Sequence, residues 1–329
     1  MTRDTDLPTA SRRRFLGLAV GAAGAALLAA CRSGSDQLAG SASSSTPTTA
    51  DLAGATEITP RLTATPTPST VSRRGLPLGD RRQLQRLALP GTPWETPILI
   101  NRSGEPGPSV LVLGGVHGNE PGGWAASEQI ADWMPDRGTL VVVPRANVVA
   151  TEAGQRTLPE LGDLNRFYPG EPPESTEAFP MQRMAWSIVE LAREFEVGLL
   201  LDLHESWGFY NERTQDGTAF LGQTITQGSD PSETPRVEAI AAEVNAQISE
   251  REQLVPRDRT RFARLTQRPS FDPSWPTGGT SSLGLGGFVP GLVPVLVEMG
   301  QQNQPQSRRA ELHQLIVRTA LQHEGMLTT

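Results

Sequence analysis

His117 and Glu120 stand three residues apart in the glycine-rich stretch Gly114-Gly115-Val116-His117-Gly118-Asn119-Glu120-Pro121. An imidazole nitrogen and a carboxylate oxygen on a turn entering a helix can face one point, and both are ordinary zinc ligands. The glycines around them let another molecule approach closely. Alone, the pair is equally what a helix start would show, with Glu120 favouring the dipole and His117 merely polar. His204, in Asp202-Leu203-His204-Glu205, leaves the end of an apolar run and is a third candidate ligand. The remaining two of the four histidines, His313 and His323, lie on the closing helical stretch and read as ordinary helix residues. Glu298 ends another apolar run, Val295-Leu296-Val297. A carboxylate there is costly to bury unless it is paired or working, so it is either a salt-bridged end or a general base. Glu205 is a second candidate acid or base. Asn165 and Arg166, adjacent in Gly162-Asp163-Leu164-Asn165-Arg166-Phe167, can grip a carboxylate, the arginine bidentately and the asparagine through its amide.

Such groups need a frame. Val110–Leu113, Leu140–Val143, Leu199–Leu203 and Val293–Val297 are short apolar runs bounded by glycine, proline or polar residues, and they read as strands buried on both faces. Helical spacing of apolar residues marks Gly123–Trp133, Glu177–Glu196, Glu233–Arg251 and Arg308–His323. The alternation predicts an α/β fold with a mixed, largely parallel sheet and helices on both faces. Sites of such sheets lie beyond the carboxyl ends of the strands, where His117, Glu120, His204 and Glu298 stand, with Asn165 and Arg166 on a loop between.

The rest of the 329-residue chain supplies an address and several exclusions. Ser11-Arg12-Arg13-Arg14-Phe15-Leu16 opens an apolar run to Ala30, too short to span a bilayer and laid out like a twin-arginine export signal. Leu28-Ala29-Ala30-Cys31 resembles a lipobox, which makes the single cysteine the lipidation site of residues 1–31. Residues 32–72, rich in Ser, Thr and Pro, are expected to be a disordered linker, and 73–329 the folded domain. The expected location is the outer face of the cytoplasmic membrane, held by the lipid on Cys31. There is no lysine, which excludes Schiff-base chemistry and a Walker A loop, and one cysteine excludes an intrachain disulfide and a cysteine-built zinc knuckle. A net charge of -7 argues against nucleic acid as a partner.

His117-x-x-Glu120, Asp163-x-Asn165-Arg166, Asp202-Leu203-His204 and Glu298, in that order, resemble the zinc carboxypeptidase family (the M14 metallopeptidases), and within it the succinylglutamate desuccinylase and aspartoacylase branch. The resemblance covers most of residues 105–300. It implies one zinc ion held by His117, Glu120 and His204 with a water as fourth ligand. It implies Glu298 as general base and then proton donor to the leaving amine. Asn165 and Arg166 would hold a substrate carboxylate, and Asp163 would accept from the far nitrogen of His117. Arg145, after the second predicted strand, matches the place of an arginine that polarises the scissile carbonyl. The implied reaction is amide hydrolysis, by a metallocarboxypeptidase or an N-acyl-amino-acid deacylase, of a peptide or N-acyl amino acid with a free carboxylate.

The family's carboxypeptidases use a late tyrosine, with which neither Tyr168 nor Tyr210 aligns. Residues 252–291 match nothing in the family and are a candidate lid or specificity loop. The alternative is a non-catalytic substrate-binding lipoprotein on a degenerate hydrolase fold. A serine hydrolase is disfavoured, because no Gly-x-Ser-x-Gly elbow occurs.

Overall fold

The computed structural model describes residues 80–214, 221–228, 231–257 and 279–328. The export signal, Cys31, the 32–72 linker and residues 258–278 of the unmatched 252–291 segment lie outside the described residues. Among the described residues no helix is long and apolar enough to cross a membrane.

The expected fold class is the one the chain forms. Eight strands build one sheet in the order β1-β2-β4-β3-β5-β8-β6-β7. They are β1 Arg82–Ala88, β2 Thr96–Arg102, β3 Ser109–Leu113, β4 Thr139–Val143, β5 Leu199–Ser206, β6 Thr224–Gln227, β7 Val255–Arg257 and β8 Val293–Gly300. The centre, β4-β3-β5-β8, is parallel throughout. Antiparallel pairings attach β1 and β2 on one side and β6 on the other.

The four apolar runs seen in the sequence are these central strands. Alternate side chains go to opposite faces of the sheet. Leu111, Leu113, Val141, Val143 and Leu200 enter one core with Met181, Met184 and Ile188 of helix α3, Pro180–Glu194. Val110, Val112, Leu140, Val142, Leu199, Leu201 and Leu203 enter the other. That second core is closed by α1 (Pro121–Ile130), α4 (Thr234–Asn245) and α5 (Gln306–His323). A short helix, α2 (Val148–Ala153), follows β4.

Two boundaries differ from the sequence reading for a visible reason. Prolines 121 and 180 occupy the first helical turn of α1 and α3, where a missing N–H costs nothing, so α1 starts earlier and α3 later than periodicity alone places them. Helix α4 stops at Asn245, and the apolar spacing that ran on to Arg251 covers a separate turn at Glu250–Glu252.

Register places the chemistry. Adjacent parallel strands β5 and β8 set His204 beside Glu298. Both side chains leave the same sheet face, because their neighbours Leu203, Val297 and Met299 enter the second core. Four residues beyond the end of β3, His117 reaches the same edge. Its turn is strapped to the loop after β4 by the Ala146 N–H donating to the Gly114 carbonyl at 2.8 Å and the Asn147 N–H donating to that of Gly115 at 2.9 Å. Gly115 has φ of 64°, the left-handed turn that aims His117 back over the strand ends.

Candidate metal centre

Three donors converge at the carboxyl edge of the sheet. The Glu120 carboxylate places Oε1 2.8 Å from His117 Nδ1 and Oε2 2.8 Å from His204 Nδ1, and the two Nδ1 atoms are 3.0 Å apart. All three residues are buried, and they are the group whose geometry could hold a metal ion among the described residues. The far ring nitrogens are also committed. His117 Nε2 lies 3.2 Å from Asp163 Oδ1, and His204 Nε2 lies 2.9 Å from Asp202 Oδ2. A carboxylate on Nε2 holds the proton there and leaves Nδ1 with a free lone pair.

Two lone pairs and a carboxylate packed face to face are an arrangement a cation relieves. Two nitrogens and one oxygen are a donor set that suits zinc, with separations slightly inside the about 3.3 Å edge of a tetrahedral shell. The residues present therefore fit the ion the sequence implied.

The electrostatics have the same origin. Burial alone would raise Glu120, but the two histidines outweigh it and hold the carboxyl far below its usual range. Burial pulls His204 down, and Asp202 and Glu120 together lift it well above the usual range. Burial raises Asp163, and His117 and Arg156 bring it far down.

Glu298 faces this cluster. Its carboxyl is pushed up to about 8, first by burial and then by the charges of Glu120 and Asp202, against the opposing pull of His204 and Arg156. It is a buried acid close to neutrality, the range a general base needs.

The strip Asp163-Leu164-Asn165-Arg166 forms a short turn capped by its own aspartate. Asp163 Oδ1 accepts the Asn165 N–H at 2.9 Å. Asn165 Oδ1 accepts the Ser282 N–H at 2.9 Å, which leaves the amide nitrogen as the donor it can offer a ligand. The Arg166 guanidinium is within electrostatic reach of Asp163, Arg156 and Glu298, so it belongs to the same site.

Arg145 is not brought there. Its Nε donates to Glu128 Oε1 at 2.6 Å, and its guanidinium stacks 4.3 Å above the Trp124 ring on the outer side of α1. The carbonyl-polarising assignment made from sequence is corrected accordingly, because position on a loop does not fix where a long side chain points. Beside Arg166, Arg156 reaches the cluster, its guanidinium 3.5 Å from both Glu120 Oε1 and Asp163 Oδ2.

Glu205 is likewise no acid or base at the cluster: its carboxylate is sealed against Arg309, with Nε 2.6 Å from Oε1. His313 is buried on α5, and burial first, then the His204 and Arg309 charges, push it down to about 3. His323 pairs at the surface with Glu243, 2.8 Å away.

Sequence reasoning missed the roles of Asp202 and Arg156. Asp202 could have been found, since residues two apart on a strand share a face and His204 lies two beyond it. Nothing in the spacing of Arg156 marks it.

Fold and cluster together define an α/β domain with a candidate metal centre at the carboxyl ends of parallel strands. Residues 106–207 match the succinylglutamate desuccinylase/aspartoacylase catalytic domain, the branch that the motifs resemble. An N-alpha-acetyl-L-2,4-diaminobutyric acid deacetylase of Halomonas elongata is 38% identical over 80 residues, which are 23% of each chain.

Two solved structures share the fold. The product-bound cell shape determinant protein Csd4 of Helicobacter pylori superposes with a TM-score of 0.51 at 19% identity, over 67% of this chain and 51% of that one. The product-bound ectoine utilization protein EutE (DoeB) of Ruegeria pomeroyi does so with 0.50 at 20% identity, over 78% and 71%. This chain thus spans about a quarter of the curated relative and half of Csd4.

Proposed function

We propose that the protein is a zinc-dependent amide hydrolase that removes an acyl group or a C-terminal residue from a small substrate bearing a free carboxylate. The observation that carries this reading is the convergence of His117 Nδ1, Glu120 and His204 Nδ1, with each far ring nitrogen held by its own aspartate. When bound there, zinc would activate a water and polarise a carbonyl as a Lewis acid.

The other steps fall to the chain's own groups. The Glu298 carboxylate accepts the proton of the attacking water and returns it to the leaving amine. Arg156 donates to the carbonyl oxygen as negative charge gathers on it, the contribution that matters most in a dry site. The amide nitrogen of Asn165 and the guanidinium of Arg166 hold the substrate carboxylate. Burial of Glu120, His204 and Glu298 keeps bulk water from competing.

The match to a desuccinylase/aspartoacylase catalytic domain and to a deacetylase supports a deacylase over a peptidase. The arginine pair, the apolar run and Cys31 support export and lipid attachment at the membrane's outer face.

The test is a purified chain assayed with zinc and with chelator against N-acetyl, N-succinyl and N-formyl amino acids and C-terminally free dipeptides. Chelator-sensitive release of the amine from acylated amino acids supports the reading. Failure to bind zinc stoichiometrically, or hydrolysis indifferent to chelator, overturns it.

A further inference from the structure

Glu205 follows a candidate ligand directly, yet strand alternation turns its side chain to the opposite sheet face from His204. It cannot reach a substrate at the cluster. Its side chain is fully buried, and the Arg309 side chain beside it is 10% exposed.

Apart from its ion pair with Arg309, the bonds it makes run to the flanks of Glu120. Oε1 accepts the Gly122 N–H at 2.9 Å and Arg309 Nε at 2.6 Å. Oε2 accepts from Gln301 Nε2 at 3.0 Å, and that same nitrogen donates to the Asn119 carbonyl at 2.9 Å. The Glu205 backbone N–H donates to Glu120 Oε2 at 3.2 Å. The residue before Glu120, its own carboxylate and the residue two beyond it are therefore all tied to one point. Arg309 is fixed in turn, its Nη1 donating to the Gln304 carbonyl at 2.5 Å.

Gly122 is part of the arrangement: a Cβ there would run into Glu205 Oε1 and approach Arg309 Cβ to 2.8 Å. The position is glycine because the carboxylate occupies the space a side chain would take.

We propose that Glu205 and Arg309 form a positioning pair, anchored on Gly122, that sets the Glu120 carboxylate against His204 from behind the site. The role rests on the metal reading above. Orienting groups of this kind typically contribute about 10- to 100-fold in metal affinity. The ion pair works by geometry: removing one partner leaves a buried charge uncompensated, so the other moves and takes the start of α1 with it.

The experiment measures zinc affinity of the full chain by competition with a chelating dye, the metal alone being the probe. The variants are Glu205→Gln, Arg309→Met, Gly122→Ala and the double variant Glu205→Gln/Arg309→Met. Each single variant is expected to raise the zinc Kd about 10- to 100-fold. In the double variant the loss should be no greater than in the worse single, since the pair acts as a unit. At saturating zinc the pH–rate profile should keep the wild-type positions of both limbs.

A Glu205→Gln Kd within twofold of wild type sinks the positioning role alone, and so does strict additivity in the double variant. A lost acidic limb with unchanged Kd would make Glu205 the base instead. A wild-type chain that takes up no zinc sinks the metal reading and this role with it. Should the single variants fail to fold, Glu205→Leu/Arg309→Met, which removes both buried charges together, carries the same Kd comparison.

Discussion

Asp202→Asn tests how the strand itself prepares a ligand. Asp202 is fully buried on β5, and its Oδ2 accepts His204 Nε2–H at 2.9 Å. The carboxylate does two things: it fixes the tautomer with Nδ1 facing Glu120 and His117, and its charge makes the imidazole a better donor to a cation. Asparagine keeps the shape and can still accept through its oxygen, but the bond loses its charge assistance, which roughly halves it. Turned the other way, the amide would donate to Nε2 and put the proton on Nδ1, where it blocks ligation.

The expected weakening of zinc binding is about 10- to 100-fold, equivalent to about 1.4–2.8 kcal/mol. The assay is dye competition at fixed pH, paired with long-range 1H–15N correlation spectra of the zinc-loaded wild type, which should show His204 protonated at Nε2. Asp163→Asn provides the comparison. Asp163 also caps its own turn at 2.9 Å and lies 3.5 Å from Arg156. It should therefore lose about 1 kcal/mol of folding stability in chelator beyond any loss of zinc affinity. An Asp202→Asn Kd within twofold of wild type, or a spectrum with the proton on Nδ1, would refute the reasoning.

Four further outcomes follow from the same geometry. Glu298→Gln should cut turnover about 10²- to 10⁴-fold while elemental analysis still finds one zinc; loss of metal instead would make Glu298 a ligand. Arg156→Met should lower kcat about 10²-fold or more, whereas Arg145→Met should stay within twofold, and equal losses would return Arg145 to the site. Gly123→Ala drives a Cβ into the Leu203 carbonyl and should cost about 1–3 kcal/mol in a chelated thermal or denaturant melt; an unchanged midpoint refutes the close approach. Arg308 hydrogen-bonds Glu252 and lowers that carboxyl from 4.5 to about 2. The pair thus stabilises above pH 4.5 and loses its effect as pH falls toward 2, so Arg308→Ala should cost at most about 1 kcal/mol at pH 7 and progressively less below pH 4.5.

The sequence disclosed the parts of the fold that water never touches. Strands β3, β4, β5 and β8 are continuous apolar runs because helices cover both their faces, and that is a signal a single sequence carries. The outer strands carried no such mark. Strand β1 is mostly solvent-exposed and polar, and β6, Thr224-Ile225-Thr226-Gln227, has one apolar residue and is buried by its neighbours rather than by its own composition.

The site divides the same way. His117, Glu120, His204 and Glu298 were legible because each ends or follows a buried run, so topology alone brings them to one edge. Arg145 was misplaced and Arg156 overlooked because both stand on loops, where the direction of a long side chain is set by partners such as Glu128 and Trp124 that no spacing rule names.

The charge balance of the buried site explains why a dication suits it better than protons do. Glu120, Asp163, Asp202 and Glu298 face the guanidiniums of Arg156 and Arg166, while Glu205 and Arg309 neutralise each other behind. Four carboxylates against two cations leave two negative charges beside two imidazoles; the carboxylates and imidazoles are buried, and Arg156 and Arg166 are only partly so. Burial first, and then the charges of Glu120 and Asp202, push Glu298 up to about 8, while Asp202 and Glu120 lift His204 against its burial. A zinc ion held by His117, Glu120 and His204 would supply both charges at one point and favour the deprotonated form of Glu298, the form the proposed base needs. The arginines cannot share that task, since a guanidinium does not give up its proton in a protein. With no lysine in the chain and both histidines proposed as ligands, Glu298 is the group the proposed reaction would use for proton transfer.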